Sequence, residues 1–92
     1  MSAKAEIGWR RTDDDGVEYQ VYARHVGNEW RFFERQKRYD VWQPVSKPSL
    51  SDWLELLDAV ERRIQRRLLP PQEAVRVRQR IRSLFPEADT GA

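Results

Sequence analysis

The sequence contains no cysteine and no long run of apolar residues. Without cysteine there is no disulfide and no thiolate metal site, and this composition fits the reducing cytoplasm that we predict as the location. The apolar runs are two or three residues long, whereas a transmembrane helix needs about 20. We therefore predict a small soluble protein with no membrane span.

The sequence also lacks the motifs of common active sites. Its glycines, Gly8, Gly16, Gly27 and Gly91, are isolated, so no glycine-rich phosphate loop is present. The single histidine, His25, has no serine or cysteine partner placed by the sequence, and a general base needs a nucleophile or substrate within reach. A domain this small offers little room for a cleft. We predict no enzyme activity and no cofactor.

The acidic run Asp13-Asp14-Asp15 invites interpretation as a metal site, but it precedes Gly16 in a typical turn sequence. Three adjacent carboxylates on a tight turn do not converge on one ion. An EF-hand loop needs spaced ligands and a glutamate at its twelfth position, where this chain has Arg24. The run therefore predicts a turn and no metal site.

Alternating polarity over residues 7–36 predicts three strands, at 7–12, 17–26 and 29–36. The two-residue loop Gly27-Asn28 is a hairpin signal that fixes a register with Ala23 opposite Phe32 and Tyr22 opposite Phe33. For the first hairpin, a four-residue loop would put Trp9 on the polar face. A three-residue loop with Gly16 in a bulge buries Trp9, and we choose it.

This register gives the sheet one apolar and one polar face. The face that we predict to be buried carries Ile7, Trp9, Tyr19, Val21, Ala23, Trp30 and Phe32. The other face carries Glu18, Gln20, Tyr22, Arg24, Arg31, Phe33 and Arg35. Two interpretations of residues 39–42 stay open: a short fourth strand, or an extended crossover that packs Trp42 on the core.

Residues 50–68 and 71–85 are predicted helices. Ser49 caps the first, with Asp52 completing a weak capping box, and Pro70 and Pro71 end it. Its apolar stripe is Leu50, Trp53, Leu54, Leu57, Val60, Ile64 and Leu68. The stripe of the second helix is Ala74, Val77, Ile81 and Leu84 or Phe85.

These elements predict one α+β domain at 7–85, with the sheet over 7–43. The sheet is a three-stranded antiparallel meander with room for a short fourth strand, followed by two antiparallel helices packed on one sheet face. We expect residues 1–6 and 86–92 to be flexible.

Charge is unevenly distributed along the chain. Residues 60–85 hold eight arginines and two glutamates, whereas residues 1–59 hold nine basic and eleven acidic residues. The first helix balances its charge, because its acids precede its arginines. The second carries Arg76, Arg78, Arg80 and Arg82 with one nearby acid. Like charges four residues apart destabilise a helix slightly, so this helix is a candidate for docking on an anionic surface.

The polar sheet face is the second candidate site. Tyr22 and Phe33 pair there among Arg24, Arg31 and Arg35. Exposed aromatic rings interleaved with arginines suit the stacking of unpaired bases. In the other interpretation, residues 37–48 or the second helix cover this face, and the rings form a second small core.

We therefore predict a small binding module that contacts RNA or DNA through the second helix and the polar sheet face. The alternative is a protein-interaction or self-association module without a nucleic-acid role. Its partner would present an acidic surface, or its interface would use the candidate anchors Trp42, Trp53, Leu56 and Leu69.

Overall fold

Four strands followed by two helices make up the computed structural model, which describes residues 6–88. The elements are β1 (Glu6–Thr12), β2 (Glu18–Val26), β3 (Glu29–Arg35), β4 (Gln43–Val45), α1 (Leu50–Gln65) and α2 (Gln72–Leu84). An antiparallel sheet followed by two helices confirms the predicted α+β class. The chain divides into a strand unit ending at Pro48 and a helical unit beginning at Ser49. The flexible ends predicted at 1–6 and 86–92 fall largely outside the described residues.

The strands form one antiparallel sheet in the order β1-β2-β3-β4. Tyr22 pairs with Phe33 and Ala23 with Phe32, as the two-residue loop predicts. Gly27 has a φ of +61°, and a positive φ at the first loop position alone is typical of the type II′ turn. Ile7 pairs with Ala23 and Trp9 with Val21, so both predicted registers are confirmed.

The first hairpin closes through a three-residue loop. The Asp13 N–H donates to the Val17 carbonyl at 2.9 Å, and Gly16 has a φ of +82°. Asp13 Oδ1 accepts hydrogen bonds from the N–H groups of Asp15 and Val17, each at 2.9 Å. This side chain therefore organises the turn itself, which confirms the turn prediction for the acidic run.

One face of the sheet is the apolar one, and we call it the Val21 face. Ile7, Val21, Ala23 and Phe32 are at most 3% exposed there. The Trp9 ring meets Phe32 edge to face, with centroids 6.0 Å apart. Trp9, Tyr19 and Trp30 are half-buried rather than buried. The predicted face is correct, and burial is deepest at its centre.

The fourth strand lies at Gln43–Val45, after the residues at which a strand was considered. Pro44 pairs with Phe33. Because side chains two residues apart share a face, Trp42 joins Phe33 and Tyr22 rather than the Val21 face. The suggestion that Trp42 packs on the apolar core of the sheet was therefore wrong. Proline is tolerated here because β4 is an edge strand.

Helix α1 begins where the sequence predicts. The Ser49 Oγ accepts a hydrogen bond from the Asp52 N–H at 3.2 Å, as an N-cap residue does. The buried apolar residues of α1 are Trp53, Leu56, Leu57 and Val60.

The buried stripe of α1 is rotated relative to the predicted one. At about 100° per residue, Leu54 lies about 110° from the centre of the buried stripe, and it is 37% exposed. Leu56, which was proposed as an interface anchor, is fully buried, and Trp53 is 5% exposed. Both anchor assignments were wrong, because these side chains already belong to the core.

Helix α1 ends three residues before the predicted position 68. The Leu68 N–H donates to the Arg63 carbonyl at 2.8 Å, and the Arg67 N–H to the Ile64 carbonyl at 2.9 Å. These two bonds make a Schellman motif, whose C′ position is normally glycine. Here Arg67 occupies it with a φ of +61°. Leu68, which was assigned to the stripe, lies beyond the helix and is 61% exposed.

Helix α2 matches its predicted bounds to within one residue. Pro71 precedes it with a φ of −57°, a value that proline favours at a helix start. Ala74, Val77 and Ile81 are buried. Glu61 of α1 pairs with Arg78 of α2, and the two residues are about equally far along the chain from the Pro70-Pro71 connection. This pairing indicates an antiparallel helix hairpin.

Arg67→Gly is expected to stabilise the protein. A non-glycine residue in the left-handed region is disfavoured by about 1–2 kcal/mol, so the free energy of unfolding should rise by about 1 kcal/mol. Urea denaturation measures this change. The matched control is Arg66→Gly, which removes the same charge. Arg66 has a φ of −90°, so glycine relieves no backbone strain at this position. An equal gain in both variants would contradict the backbone explanation.

Candidate functional site

The face of the sheet opposite the Val21 face carries most of the predicted site residues, and we call it the Tyr22 face. Its side chains lie in rows across the strands. The middle row consists of Gly8, Tyr22, Phe33 and Pro44. The row nearer the β2–β3 loop consists of Glu6, Arg24 and Arg31. The row on the other side consists of Arg10, Gln20 and Arg35. Rows on one face are about 6.6 Å apart, two residues along a strand. Arginines therefore flank an aromatic row on both sides.

Three rings form a packed aromatic cluster on the Tyr22 face: Tyr22, Phe33 and Trp42. Tyr22 and Phe33 stack with centroids 4.9 Å apart and planes 19° from parallel. Trp42 meets Tyr22 at 90°, with centroids 4.6 Å apart. All three side chains are half-buried. Each of the two interpretations of this face holds in part, because segment 37–48 contributes Trp42 to the cluster and the rings remain accessible.

Arg35 ties the connection after β3 to the sheet. Its Nε donates to Gln20 Oε1 at 2.7 Å, and its Nη1 lies 3.5 Å from the Asp40 carbonyl oxygen. Its guanidinium carbon sits 4.2 Å from the Trp42 ring centroid, within cation–π distance. Arg35 was predicted to contact nucleic acid, but in this structure its donors and its charge are engaged within the strand unit.

Arg24 and Arg31 are two exposed cations of the Tyr22 face. They pair directly across β2 and β3, an arrangement that is mildly destabilising for like charges. Glu6 faces Arg24 from β1, whereas Glu18 pairs with Arg10 at 3.6 Å. Within residues 6–88 neither Arg24 nor Arg31 forms an ion pair. Both side chains can therefore accept an external anion.

The arginines of α2 differ in how they are engaged. Arg76 pairs with Glu73 at 2.9 Å, and Arg78 pairs with Glu61. Among the described residues Arg80 and Arg82 form no ion pair. The charge of α2 is therefore less unbalanced than its own sequence indicates. Glu61, which is 17 residues away along the chain, neutralises Arg78 from α1.

The four α2 arginines also do not share one side of the helix. At about 100° per residue, Arg76 and Arg80 are about 40° apart, as are Arg78 and Arg82, but the two pairs are about 160° apart. The buried residues Ala74, Val77 and Ile81 lie between them on one side. The structure thus separates the predicted cluster into two pairs.

The connection between β3 and β4 adds site residues that the sequence reasoning missed. The Asp40 N–H donates to the Lys37 carbonyl at 2.8 Å, and the Lys37 N–H donates to Asp40 Oδ2 at 3.1 Å. This turn presents Lys37, Arg38 and Tyr39 to solvent, and Tyr39 is 90% exposed. The only feature of the sequence that could have indicated this site is an aromatic residue, Tyr39, directly after two cations in a predicted loop.

The Val21 face holds two polar side chains that the sequence reasoning did not consider. Arg11 Nη2 lies 2.6 Å from Glu34 Oε1, and the Arg11 guanidinium carbon lies 4.9 Å from the Tyr19 ring centroid. Strict alternation places both residues on this face, but only the register shows that they meet. The pair is half-buried, so we assign it a structural role.

Two other classes of site were weighed from the sequence, a catalytic histidine and a metal site. His25 is half-buried on the Val21 face, with its ring centroid 4.8 Å from that of Trp30. Between residues 6 and 88 no group of three or more potential ligands is placed to hold a metal ion. In the same range no helix is both long and apolar enough to cross a membrane.

No family model, curated protein or solved structure matches this chain. The candidate site therefore rests on the geometry of the chain itself.

Arg35→Lys should destabilise the protein by about 1–2 kcal/mol. An ammonium group cannot reproduce the contacts with Gln20, Asp40 and Trp42 together. The free energy of unfolding in urea measures the loss, and hydrogen exchange of residues 37–42 should quicken. The control Arg31→Lys keeps an exposed cation in place and should change stability by less than about 0.5 kcal/mol. Equal effects of the two changes would refute the role assigned to Arg35.

Proposed function

We propose that this protein is a small module that binds single-stranded nucleic acid on the Tyr22 face of its sheet. The observation that carries the proposal is the aromatic row containing Tyr22 and Phe33, with arginines in the rows on both sides. Nucleic-acid strands combine negative phosphates with flat bases, so a binding surface needs cations and aromatic rings close together. The Tyr22 face offers both within one sheet.

Arg24 and Arg31 are the proposed phosphate contacts. Their side chains start from directly opposed backbone positions, about 5 Å apart at the Cβ atoms. A phosphate between them would relieve their repulsion, and guanidinium groups bind phosphate oxygens in a bidentate manner. Lys37 and Arg38 of the exposed turn extend the positive surface of the strand unit.

Single strands fit this face better than duplexes. Rings stack on bases only when the bases are unpaired, because paired bases present only their edges. The aromatic cluster of Tyr22, Phe33 and Trp42 is half-buried and fixed by its internal contacts. A preformed ring surface loses little conformational entropy on binding. Tyr39, which is 90% exposed, adds a ring in the same unit.

The proposal does not require the arginines of α2. Arg76 and Arg78 are held in ion pairs, and the helix geometry separates the four side chains. A general attraction of Arg80 and Arg82 for phosphates remains compatible with the proposal. Of the two surfaces that the sequence pattern predicts, the proposal keeps the polar sheet face and does not depend on α2.

The double variant Arg24→Gln with Arg31→Gln tests the phosphate contacts. Fluorescence anisotropy with a labelled single-stranded oligonucleotide, measured between about 50 and 200 mM salt, gives the affinity and its salt dependence. Each phosphate contact removed should lower the slope of log affinity against log salt by about 0.7. The wild-type protein should bind the single strand more tightly than a duplex of the same sequence.

The matched control is Arg80→Gln with Arg82→Gln, which removes the same charge from exposed positions in the helical unit. It should leave most of the affinity intact. Equal losses in the two double variants would show that only net charge matters, and the Tyr22 face would then not be the site. Absence of binding by the wild-type protein at low salt would refute the proposed function altogether.

A second candidate function, protein recognition, draws on one specific observation. Tyr39 and Val41 are 90% and 76% exposed, and solvent-exposed apolar side chains near each other are typical of interaction sites. Sedimentation of the wild-type chain over a wide concentration range tests the self-association form of this hypothesis. Self-association of a wild-type chain that binds no oligonucleotide, if it disappears in Val41→Ser, would favour protein recognition.

A further inference from the structure

Gly8 lies in the middle of β1, and the fold gives no reason for a glycine there. Unlike Gly16 and Gly27, Gly8 does not have a positive φ, so its backbone conformation does not require glycine. A Cβ atom added to Gly8 would lie 3.5 Å from the Val21 carbonyl oxygen and 3.9 Å from Tyr22 Cβ, which are ordinary contact distances. Glycine inside a strand weakens it and often marks the close approach of a ligand.

Gly8 lies in the middle row of the Tyr22 face, next to Tyr22. Because glycine has no side chain, the space beside the Tyr22 ring is left open. Phe33 and Tyr22 are neighbours in this row and stack at 4.9 Å, close to the spacing of adjacent strands of about 4.7–4.9 Å. Gly8 pairs with Tyr22 on the other side. The row thus continues past two stacked rings to a position that has no side chain, and Gly8 is exposed to solvent.

An open depression of about 670 Å³ surrounds this position. Its lining includes Glu6, Gly8, Arg10, Gln20, Tyr22 and Trp42. The Gln20 Oε1 already accepts from Arg35, so its amide N–H groups remain to donate. The ion pair between Arg10 and Glu18 is long, at 3.6 Å, and both side chains are mostly exposed. Exposed ion pairs contribute little stability, so Arg10 can leave Glu18 to contact a ligand at little cost.

We infer that the space above Gly8 is a stacking subsite for one unpaired nucleobase. The base continues the stack of Phe33 and Tyr22, with Trp42 as a wall and with Glu6, Arg10 and Gln20 in reach of its polar edge. This inference rests on the proposed function and adds to it the location of one base. It also explains why a strand position that has room for a Cβ atom is occupied by glycine.

Gly8→Val is the decisive variant, because it suits a strand and occupies the space above residue 8. The thermal midpoint should be unchanged or higher. Affinity for a single-stranded oligonucleotide should fall by roughly 5- to 150-fold, which corresponds to the loss of one stacked base. Gly8→Ala should fall between wild type and Gly8→Val, and it keeps the test valid if the valine variant folds poorly.

An abasic oligomer of equal length separates stacking from phosphate binding. Wild type and Gly8→Val should bind it equally, since neither has a base to stack. The control Thr12→Val places valine on the same strand and face, outside the depression, and should bind like wild type.

Unchanged affinity of a folded Gly8→Val, or an equal loss of affinity for the abasic strand, would overturn the subsite while leaving the role of Arg24 and Arg31 standing. Absence of oligonucleotide binding by the wild type would overturn both.

Discussion

The register of the β2–β3 hairpin is the constraint on which the strand unit depends. Gly27 adopts a positive φ in a two-residue loop, and this loop leaves one pairing between the strands. Because side chains alternate with a period of two, a shift of β2 by one residue would exchange the two faces of that strand. Val21 would then leave the face that Phe32 occupies, and Tyr22 would turn to that face in its place. The buried apolar face and the aromatic row with its flanking arginines are two results of the same turn.

Arginine has four distinct roles in this small chain, and composition cannot separate them. Arg35 is enclosed by hydrogen bonds and an aromatic ring, Arg78 pairs with an acid on a neighbouring helix, and Arg67 closes a helix in a conformation that favours glycine. Only exposed arginines such as Arg24 and Arg31 are available to a partner. The net charge of a segment therefore overstates its capacity to bind anions.

Sequence reasoning succeeded where a local rule was decisive. Turn chemistry at Gly16 and Gly27 gave both strand registers, and the prolines gave the helix bounds to within a few residues. It failed where the answer depended on distant partners. The face occupied by Trp42 follows from the pairing of Pro44 with Phe33, and no local pattern specifies that pairing. Likewise, the burial of Leu56 rather than Leu54 depends on which side of α1 meets other elements.

The two edges of the sheet differ, and the difference limits how copies of the chain can associate through strands. β4 is three residues long and has Pro44, which lacks an N–H group, at its centre. β1 is the longer edge strand in the part of the chain that the structure describes. Strand addition between copies is therefore favoured only at β1. Two copies joined there would leave only β4 edges outermost, so such growth would end at a pair and would not propagate into a fibril.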